Sequence, residues 1–360
     1  MSKFLSKKHA SLTAYVPGEQ PQDKKYIKLN TNESPFPPSS SVLEAVSAEV
    51  GKLHLYSDPS LRALREGFAA LHGVAPENVI ATNGSDEVLD FAFLAFSDSD
   101  TPIAFPDITY GFYSVFAELY GIPYETIPLA DDFSVRAEDY IGIGKNIVIA
   151  NPNAPTGLSL SLYDIERIVA SNPDNVVIID EAYVDFGGES AAPLTKKYKN
   201  LIVTGTFSKS RSLAGARLGF GIADAELIRD LDTIRCSHNP YNVNRMTLAA
   251  GCAALRDNDY YMANCKTVIE VREYTKTELE KRGFFVTDSS ANFLFAESDE
   301  ILGDELYQQL RARGILVRHL SGERIKNFNR ISIGTRSDMD AFLTAVDEIL
   351  MEKNNENFRD

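Results

Sequence analysis

The stretch N-V-V-I-I-D-E-A-Y, residues 175–183, is apolar on both faces and rich in β-branched side chains until it reaches an acidic end. Two similar runs lie on either side of it in the chain, N-I-V-I-A at 146–150 and L-I-V-T at 201–204. Short runs of this kind are typical of parallel strands that are buried on both faces. The stretch therefore predicts the centre of a parallel sheet.

Strands and helices alternate on the N-terminal side of this centre. N-V-I-A-T at 78–82 and T-P-I-A-F at 101–105 predict two further strands. Helical patterns follow them, one from Ser85 and one over 110–120. Strands that alternate with helices favour a doubly wound α/β domain.

Changes in composition and in hydrophobic pattern divide the chain into three parts. Residues 1–29 predict an extended N-terminal arm, and residues 30–245 predict the large domain. A long helical pattern over 245–282, followed by short apolar runs, predicts a smaller α/β domain over 246–360 with more antiparallel character. A length of 360 residues suits one large domain beside a smaller one.

The composition indicates an acidic globular protein. The chain is 44% hydrophobic and carries a formal charge of −15. Such a protein repels nucleic acid and anionic membranes, so neither is an expected partner. We expect no signal peptide and no membrane-spanning run. The three cysteines have no zinc-like spacing, which predicts free thiols, a cytoplasmic location and no metal site.

A lysine follows the run at 201–204, in T-F-S-K-S-R-S-L-A-G-A-R at 206–217. A lone loop lysine is usually a solvated surface residue, and this is the simpler interpretation of Lys209. Its neighbours Thr206, Ser208 and Arg217 favour another, because two hydroxyls and a guanidinium can bind a phosphate through charge-assisted hydrogen bonds. Beside them, an amine with a lowered pKa could attack an aldehyde.

Asp180 ends the central strand, and ligands of parallel sheets bind beyond the carboxyl ends of the strands. A carboxylate there can pair with a protonated pyridine nitrogen, which makes the ring a better electron sink. Tyr183, three residues on, could donate to a phenolic oxygen. An aspartate that caps a following helix is the alternative, and this motif alone leaves both open.

Two polar turns also follow predicted strands. In N-G-S-D-E at 83–87, Gly84 and Ser85 present backbone N–H groups at a helix N-terminus, which favours a phosphate. An ordinary helix cap by Ser85 or Asp86 explains the same residues. The turn N-P-N-A-P-T-G at 151–157 lies where an asparagine that contacts a cofactor would be found.

The motifs, taken in order, resemble those of the fold-type I aminotransferases. Within that superfamily the chain is similar to the histidinol-phosphate aminotransferases over nearly its whole length. The stretches that carry this similarity are L-T-A-Y-V-P-G-E-Q, L-N-T-N-E-S-P, L-Y-S-D-P, P-Y-N-V-N and N-R-I-S-I-G-T. The resemblance implies a large doubly wound, mostly parallel domain with a smaller α/β domain, and pyridoxal phosphate as cofactor. It also implies amino transfer between histidinol phosphate and 2-oxoglutarate, with glutamate as the other amino acid, in histidine biosynthesis by a homodimer with shared active sites.

The resemblance implies a role for each matching residue. Lys209 would hold the cofactor as a Schiff base and move the proton, Asp180 would hold the pyridinium, and Tyr183 would contact the ring oxygen. Tyr110 would lie on the ring face. The residues that match phosphate-binding positions are Gly84, Ser85, Asp86, Thr206, Ser208, Arg217 and, from a partner subunit, Tyr56. The residues that match positions for the anionic end of the substrate are Tyr15, Arg318 and Arg330.

One position departs from the family pattern. Relatives usually carry asparagine directly before P-T-G, where this chain has Ala154. The contact with the ring oxygen would then fall to Asn153 or to Tyr183 alone.

Other functions remain open beside this one. An aromatic-amino-acid aminotransferase and a threonine-phosphate decarboxylase would share the cofactor site, because all three bind the same ring and phosphate. A non-catalytic ligand-binding module would not need Lys209. A nucleotide-binding oxidoreductase is disfavoured because no G-x-G-x-x-G follows the first strand.

Overall fold

Two sheets organise the chain in a computed structural model that describes residues 2–10 and 12–357. The strands are β1 Ile27–Lys28, β2 Val79–Thr82, β3 Ile103–Pro106, β4 Tyr124–Ile127, β5 Asn146–Ala150, β6 Val177–Asp180, β7 Leu201–Thr206, β8 Gly219–Ala223, β9 Phe284–Val286, β10 Phe293–Ser298, β11 Ile315–Leu316, β12 Arg318–His319 and β13 Asn329–Ser332. The helices are α1 Ser40–Val50, α2 Arg62–His72, α3 Ser85–Phe96, α4 Phe112–Tyr120, α5 Leu162–Ser171, α6 Ala225–His238, α7 Arg245–Arg256, α8 Asn258–Glu280, α9 Gly303–Ala312 and α10 Arg336–Asn357.

The larger sheet has seven strands in the order β2-β8-β7-β6-β5-β3-β4. Its pairs from β7 to β4 are all parallel, whereas β8 runs antiparallel to both of its neighbours. The predicted centre, β6 flanked by β5 and β7, is confirmed. The expectation of a large, mostly parallel sheet is confirmed as well.

The central strands are buried along their whole length, as their β-branched composition predicts. Alternate side chains feed two separate cores: Ile179 packs into one and Ile178 into the other. The first core also takes side chains from α2, α5 and α7, and the second takes them from α3, α4 and α6. Helices therefore cover both faces of the sheet, which is the doubly wound arrangement.

The smaller sheet has the order β12-β13-β10-β9 and is antiparallel throughout. Helices α8, α9 and α10 contribute to its core. The short strand β1 pairs in parallel with β11, and Leu29 just after it packs into the same core. The end of the predicted arm therefore packs with the smaller α/β part. The domain limits 1–29, 30–245 and 246–360 stay a prediction.

The helical pattern over 245–282 contains two helices and not one. The break falls at Asp257, whose carboxylate accepts a hydrogen bond from the hydroxyl of Ser41 at the start of α1. Helix α7 packs on α1 and α2 and belongs to the core of the large sheet, whereas most of α8 covers the small one. No helix within residues 2–10 and 12–357 is long and apolar enough to cross a membrane.

Candidate active site

The carboxyl ends of the three central strands meet at one edge of the large sheet. Ala150, Asp180 and Thr206 are the last residues of β5, β6 and β7, and all three line one cavity. The start of α3 closes the cavity on the β2 side. This is the edge at which doubly wound sheets bind their ligands.

The cavity encloses about 550 Å³ of empty space, part of which is open to solvent. Most of the residues predicted to bind the cofactor line it. They are Ser85, Asp86, Tyr110, Asp180, Tyr183, Thr206, Ser208, Lys209 and Arg217, joined by Ala150, Ala154 and Ala182. The sequence therefore predicted which segments come together, although they lie far apart in the chain.

Asp180 is a buried carboxylate at the bottom of the cavity. One oxygen accepts a hydrogen bond from the hydroxyl of Tyr113 at 2.9 Å, and the other accepts one from the backbone N–H of Ala182 at 3.3 Å. Burial raises the pKa of Asp180 to about 6, although the hydrogen bond from Tyr113 lowers it. A cation beside this carboxylate would remove much of the cost of burying it.

Another group of residues that line the cavity can hold an anion. Arg217 reaches across the N-terminus of α3, where its guanidinium donates to Asp86 at 3.0 Å and lies 3.5 Å from the hydroxyl of Ser208. Gly84, just before the helix, has φ +85°, and a Cβ there would lie 2.6 Å from Arg217 Nη2. The absence of a side chain at Gly84 thus leaves room for Arg217 beside the helix N–H groups, which attract a phosphate.

Lys209 lines this cavity and also a second one beside it. Its Nζ donates to the backbone carbonyl of Thr31 at 3.3 Å and lies 5.8 Å from the centre of the Tyr183 ring. Tyr110 borders both cavities and donates its hydroxyl proton to Asp86 at 2.9 Å. An amine at the junction of two cavities can contact a cofactor in one and a substrate in the other.

The second cavity contains all three residues predicted to bind substrate, Tyr15, Arg318 and Arg330. Arg330 is half-buried as a residue, but its guanidinium is deeply buried over the Phe293 ring, and burial lowers its pKa. It donates to the carbonyl of Asn30 at 3.0 Å, while its Nε has no hydrogen-bond partner among the described residues. Arg318 donates to the carbonyls of Val16 and Pro17 and so holds the segment that carries Tyr15.

Two predicted residues lie elsewhere. Tyr56 is 77% exposed and stacks on the ring of Tyr241, away from both cavities. Asn153 does not line the cavity that its neighbour Ala154 borders. Its amide is occupied by Ile108, Thr109 and Thr156.

Of the two alternatives for the contact with the ring oxygen, the geometry favours Tyr183, and a contact from Asn153 stays an untested prediction. The side chain is buried and its hydrogen bonds hold the turn at 151–157 against the loop after β3. Moving it into the cavity would leave those buried partners unsatisfied.

Sequence reasoning missed three contributors to the site, namely Tyr113, Asn32 and Thr31. Tyr113 donates to Asp180, Asn32 donates to the hydroxyl of Tyr183 at 3.0 Å, and the carbonyl of Thr31 accepts from Lys209. The polar run L-N-T-N-E before three prolines was a signal for the second and third, since such a run is unusual for a buried segment. Nothing in the sequence singled out Tyr113.

The residues present fit pyridoxal phosphate. The buried Asp180 has hydrogen bonds from a phenol and an amide but no salt bridge within residues 2–10 and 12–357, so it suits a protonated ring nitrogen. The cradle at Gly84 and Arg217 suits the phosphate. Lys209 lines the same cavity as both.

Comparison with known proteins agrees with this geometry. The sequence profile of the family described as aminotransferase class I and II matches residues 24–346. The chain is 48% identical to the histidinol-phosphate aminotransferase of Brachyspira hyodysenteriae over 97% of its own length and 99% of the relative's. It is 45% identical to that of Clostridium acetobutylicum over 97% of the chain and 100% of the relative.

A solved structure shows the same fold. The histidinol-phosphate aminotransferase of Sinorhizobium meliloti, in complex with pyridoxal-5'-phosphate, matches with a TM-score of 0.88 at 24% identity, over 98% of this chain and 99% of that one. The predicted fold type and the predicted cofactor, pyridoxal phosphate, are confirmed. The chain belongs to the class I and II aminotransferases and, within them, to the family of histidinol-phosphate aminotransferases.

Proposed function

We propose that the protein transfers the amino group between L-histidinol phosphate and 2-oxoglutarate, as part of histidine biosynthesis. The observation that carries this proposal is the buried Arg330, which has no acidic partner among the described residues and lines the cavity into which Lys209 opens. Both substrates are anions, one a phosphate ester and the other a dicarboxylate. A guanidinium binds phosphate and carboxylate through the same forked geometry, so one site can accept each in turn.

The cofactor would be held at its two ends. Asp180 would pair with the ring nitrogen, and Arg217, Ser208, Thr206 and the N-terminus of α3 would bind the phosphate. When bound, pyridoxal phosphate supplies an electron sink that stabilises negative charge on the substrate carbon next to the amine. Tyr110 would lie against the ring, and Tyr183 would donate to its oxygen.

Lys209 would carry both the covalent attachment and the proton transfer. Its Nζ lies at the junction of the two cavities, within reach of a cofactor in one and a substrate carbon in the other. The carbonyl of Thr31 accepts from Nζ and limits where the amine can point. In this arrangement Lys209 would take a proton from the substrate carbon that bears the amine and would give it up again on the cofactor side of that amine.

Arg318 and Tyr15 would complete the substrate site. Arg318 binds the chain at Val16 and Pro17, so it sets the position of the segment 15–17 over the second cavity. The Tyr15 ring packs against Phe112 with centroids 4.5 Å apart, which keeps the phenol at the cavity wall. Together they would exclude water above the substrate and add polar groups for its anionic end.

The homodimer is part of the proposal and is supported by one exposed surface. Leu43, Val50, Leu53, Leu55 and Tyr56 are all more than half exposed on α1 and the segment after it. Contiguous apolar side chains of this kind typically mark an interface between proteins. Burying this surface against a second copy would explain Tyr56 and would let it reach the partner's cofactor phosphate. A cytoplasmic location is proposed with it, in keeping with the free thiols of Cys236, Cys252 and Cys265.

The substrate assignment is tested by turnover with a panel of amino donors and 2-oxoglutarate. We expect histidinol phosphate to exceed phenylalanine in kcat/KM by about a hundredfold or more, because the single carboxylate of phenylalanine offers two oxygens where the phosphate offers three and so leaves part of the phosphate-binding groups unpaired. Higher activity on phenylalanine would favour an aromatic-amino-acid aminotransferase. Release of CO₂ from threonine phosphate would favour the decarboxylase. No turnover, with no borohydride trapping of the cofactor on Lys209, would leave only a binding module.

A further inference from the structure

We propose that Asn32 is a positioning residue that sets the direction of the Tyr183 hydroxyl, so that this phenol donates its proton to the ring oxygen of the bound cofactor. The inference rests on the proposed function, in which Tyr183 contacts that oxygen. Asn32 is the residue that would make the Tyr183 hydroxyl a donor toward that oxygen.

The hydrogen bonds of Asn32 fix its amide. Its backbone N–H donates to the hydroxyl oxygen of Ser332 at 2.8 Å, and Ser332 in turn donates its proton to Asn32 Oδ1 at 2.8 Å. The backbone carbonyl of Asn32 accepts from Asn292 at 3.0 Å. The proton of the Ser332 hydroxyl is thus directed at the oxygen side of the Asn32 amide. The nitrogen side then faces Tyr183.

The hydroxyl of Tyr183 can accept hydrogen bonds through its oxygen and has one proton to donate. Asn32 Nδ2 donates to the Tyr183 hydroxyl oxygen at 3.0 Å, so that oxygen is an acceptor on the Asn32 side. No second hydrogen bond to this hydroxyl forms within residues 2–10 and 12–357, which leaves its proton free for the cavity. The ring itself is held edge-on against Phe293, with centroids 5.1 Å apart.

Alanines form part of the cavity wall, which makes the contact with the ring oxygen more dependent on the Tyr183 hydroxyl. Ala150, Ala154 and Ala182 line the same cavity and bring no side-chain donor. The amide of Asn153 is engaged elsewhere. Tyr183 therefore has to supply this contact without help from its neighbours, and the direction of its one proton decides whether the contact forms.

The backbone conformation at Asn32 restricts which residue types can occupy this position. Asn32 is 1% exposed and has φ +56°, a left-handed conformation that costs most side chains energy. Asparagine, aspartate and glycine tolerate it best. Strained residues held by their surroundings cluster at functional sites. Variants at this position should therefore be Asn32→Asp and Asn32→Gly, which keep the backbone.

The experiment measures the pKa of Lys209 Nζ in the cofactor-loaded enzyme, followed by visible absorption as a function of pH. A donor on the ring oxygen stabilises its negative charge and weakens its hold on the Nζ proton. In Asn32→Asp the carboxylate accepts the Tyr183 proton, so the ring oxygen loses its donor. We expect the pKa of Nζ to rise by about one unit, the size of one charge-assisted hydrogen bond.

A double-variant cycle separates this effect from the new charge. The carboxylate of Asn32→Asp would also raise the Nζ pKa directly. The other charged groups that interact with Lys209 or line its two cavities are unchanged in the variant, namely Asp180, Glu33, Asp86, Asp107, Arg217, Arg318 and Arg330. In the Tyr183→Phe background the direct effect persists and the effect through the phenol vanishes. We therefore expect a clearly smaller shift in that background.

The outcomes are distinct. An equal shift in both backgrounds would reduce Asn32→Asp to a charge effect and overturn the role of Asn32. The role of Asn32 would also be overturned if the Nζ pKa shifts in Tyr183→Phe but not in Asn32→Asp. That result would leave the proposed function intact. No shift with Tyr183→Phe would instead refute the Tyr183 contact itself. If Asn32→Asp does not fold, Asn32→Gly takes its place in the cycle, with a smaller rise expected and no rise overturning the proposal.

Discussion

The buried carboxylate of Asp180 lowers the stability of the cofactor-free protein, and we expect the bound cofactor to remove this effect. Its pKa lies at about 6 rather than 3.8 because the carboxylate is buried. A raised pKa means that the folded state holds the proton more tightly than the unfolded chain does. The ionised carboxylate therefore destabilises the fold above about pH 6, by up to about 3 kcal/mol, and has no such effect below about pH 4.

Asp180→Asn should therefore change stability with pH in a defined direction. We expect the cofactor-free variant to unfold at a higher temperature than the parent at pH 8 and at the same temperature at pH 4. With cofactor bound the order at pH 8 should reverse, since the variant loses its partner for the ring nitrogen, and kcat/KM should fall at least a hundredfold. Thermal unfolding of both forms at both pH values measures this. A stability difference independent of pH would contradict the assigned pKa.

At the scale of single residues, the sequence was informative where chemistry is local. Lys209 and Asp180 each follow an apolar strand, so their place at the sheet edge could be predicted from pattern alone. Asn32 could not be assigned, because its partners Tyr183 and Ser332 are 151 and 300 residues away in the chain. The direction of the Asn153 amide could not be predicted for the same reason, since its buried partners in the loop after β3 are not recognisable in the sequence.

At the scale of elements, the N-terminus of α3 joins the fold to the cofactor site. Gly84 precedes the helix at φ +85°, and its missing side chain admits Arg217. Gly219 at the start of β8 is packed against the same turn. The anion site thus depends on two close backbone approaches as well as on its charged groups.

Gly84→Ala is expected to weaken cofactor binding beyond its effect on stability. The new Cβ would lie 2.6 Å from Arg217 Nη2 and push the guanidinium away from the phosphate site. Gly144→Ala is the matched control, since Gly144 also has positive φ, +66°, but nothing lies within 4 Å of the added Cβ. Gly144→Ala should lose about 1–2 kcal/mol of stability from backbone strain. Gly84→Ala should lose more, up to about 3 kcal/mol, because φ +85° with ψ 161° is a conformation that essentially only glycine adopts.

Cofactor titration separates the two glycine variants. The dissociation constant should rise by about tenfold or more for Gly84→Ala, the effect of losing one charge-assisted contact, and should not change for Gly144→Ala. Equal affinities in the two variants would show that Arg217 does not need the space at Gly84.

The elements that escaped prediction are those with weak patterns. Strand β8 has the sequence G-F-G-I-A, in which glycines interrupt the apolar run. Strand β4 has the sequence Y-E-T-I and lies at the edge of the sheet, where three of its four residues are exposed. The break between α7 and α8 depends on Asp257 and its contact with Ser41 in α1, which no local pattern reveals. Buried parallel strands could be predicted because their composition alone distinguishes them.

At the scale of the whole molecule, the exposed apolar surface around Tyr56 supports the proposed homodimer. Tyr56 and Tyr241 stack with ring centroids 4.4 Å apart, and both remain exposed in the single chain. Tyr56 does not line the cavities around Lys209. If each active site takes Tyr56 from the second subunit of a homodimer, a single chain carries only part of its own site.

Mixed dimers test this sharing directly. Lys209→Ala and Tyr56→Ala should each be strongly impaired alone, the first in chemistry and the second in cofactor binding. When the two are unfolded and refolded together, half of the dimers combine one chain of each, and one of their two sites then holds an intact Lys209 with an intact Tyr56. Activity should therefore return to about a quarter of the parent value. Lys209→Ala mixed with Arg217→Ala is the control, because both residues serve the same subunit's site and no intact site can form. Recovery in neither mixture, or in both, would show that Tyr56 does not act across the interface.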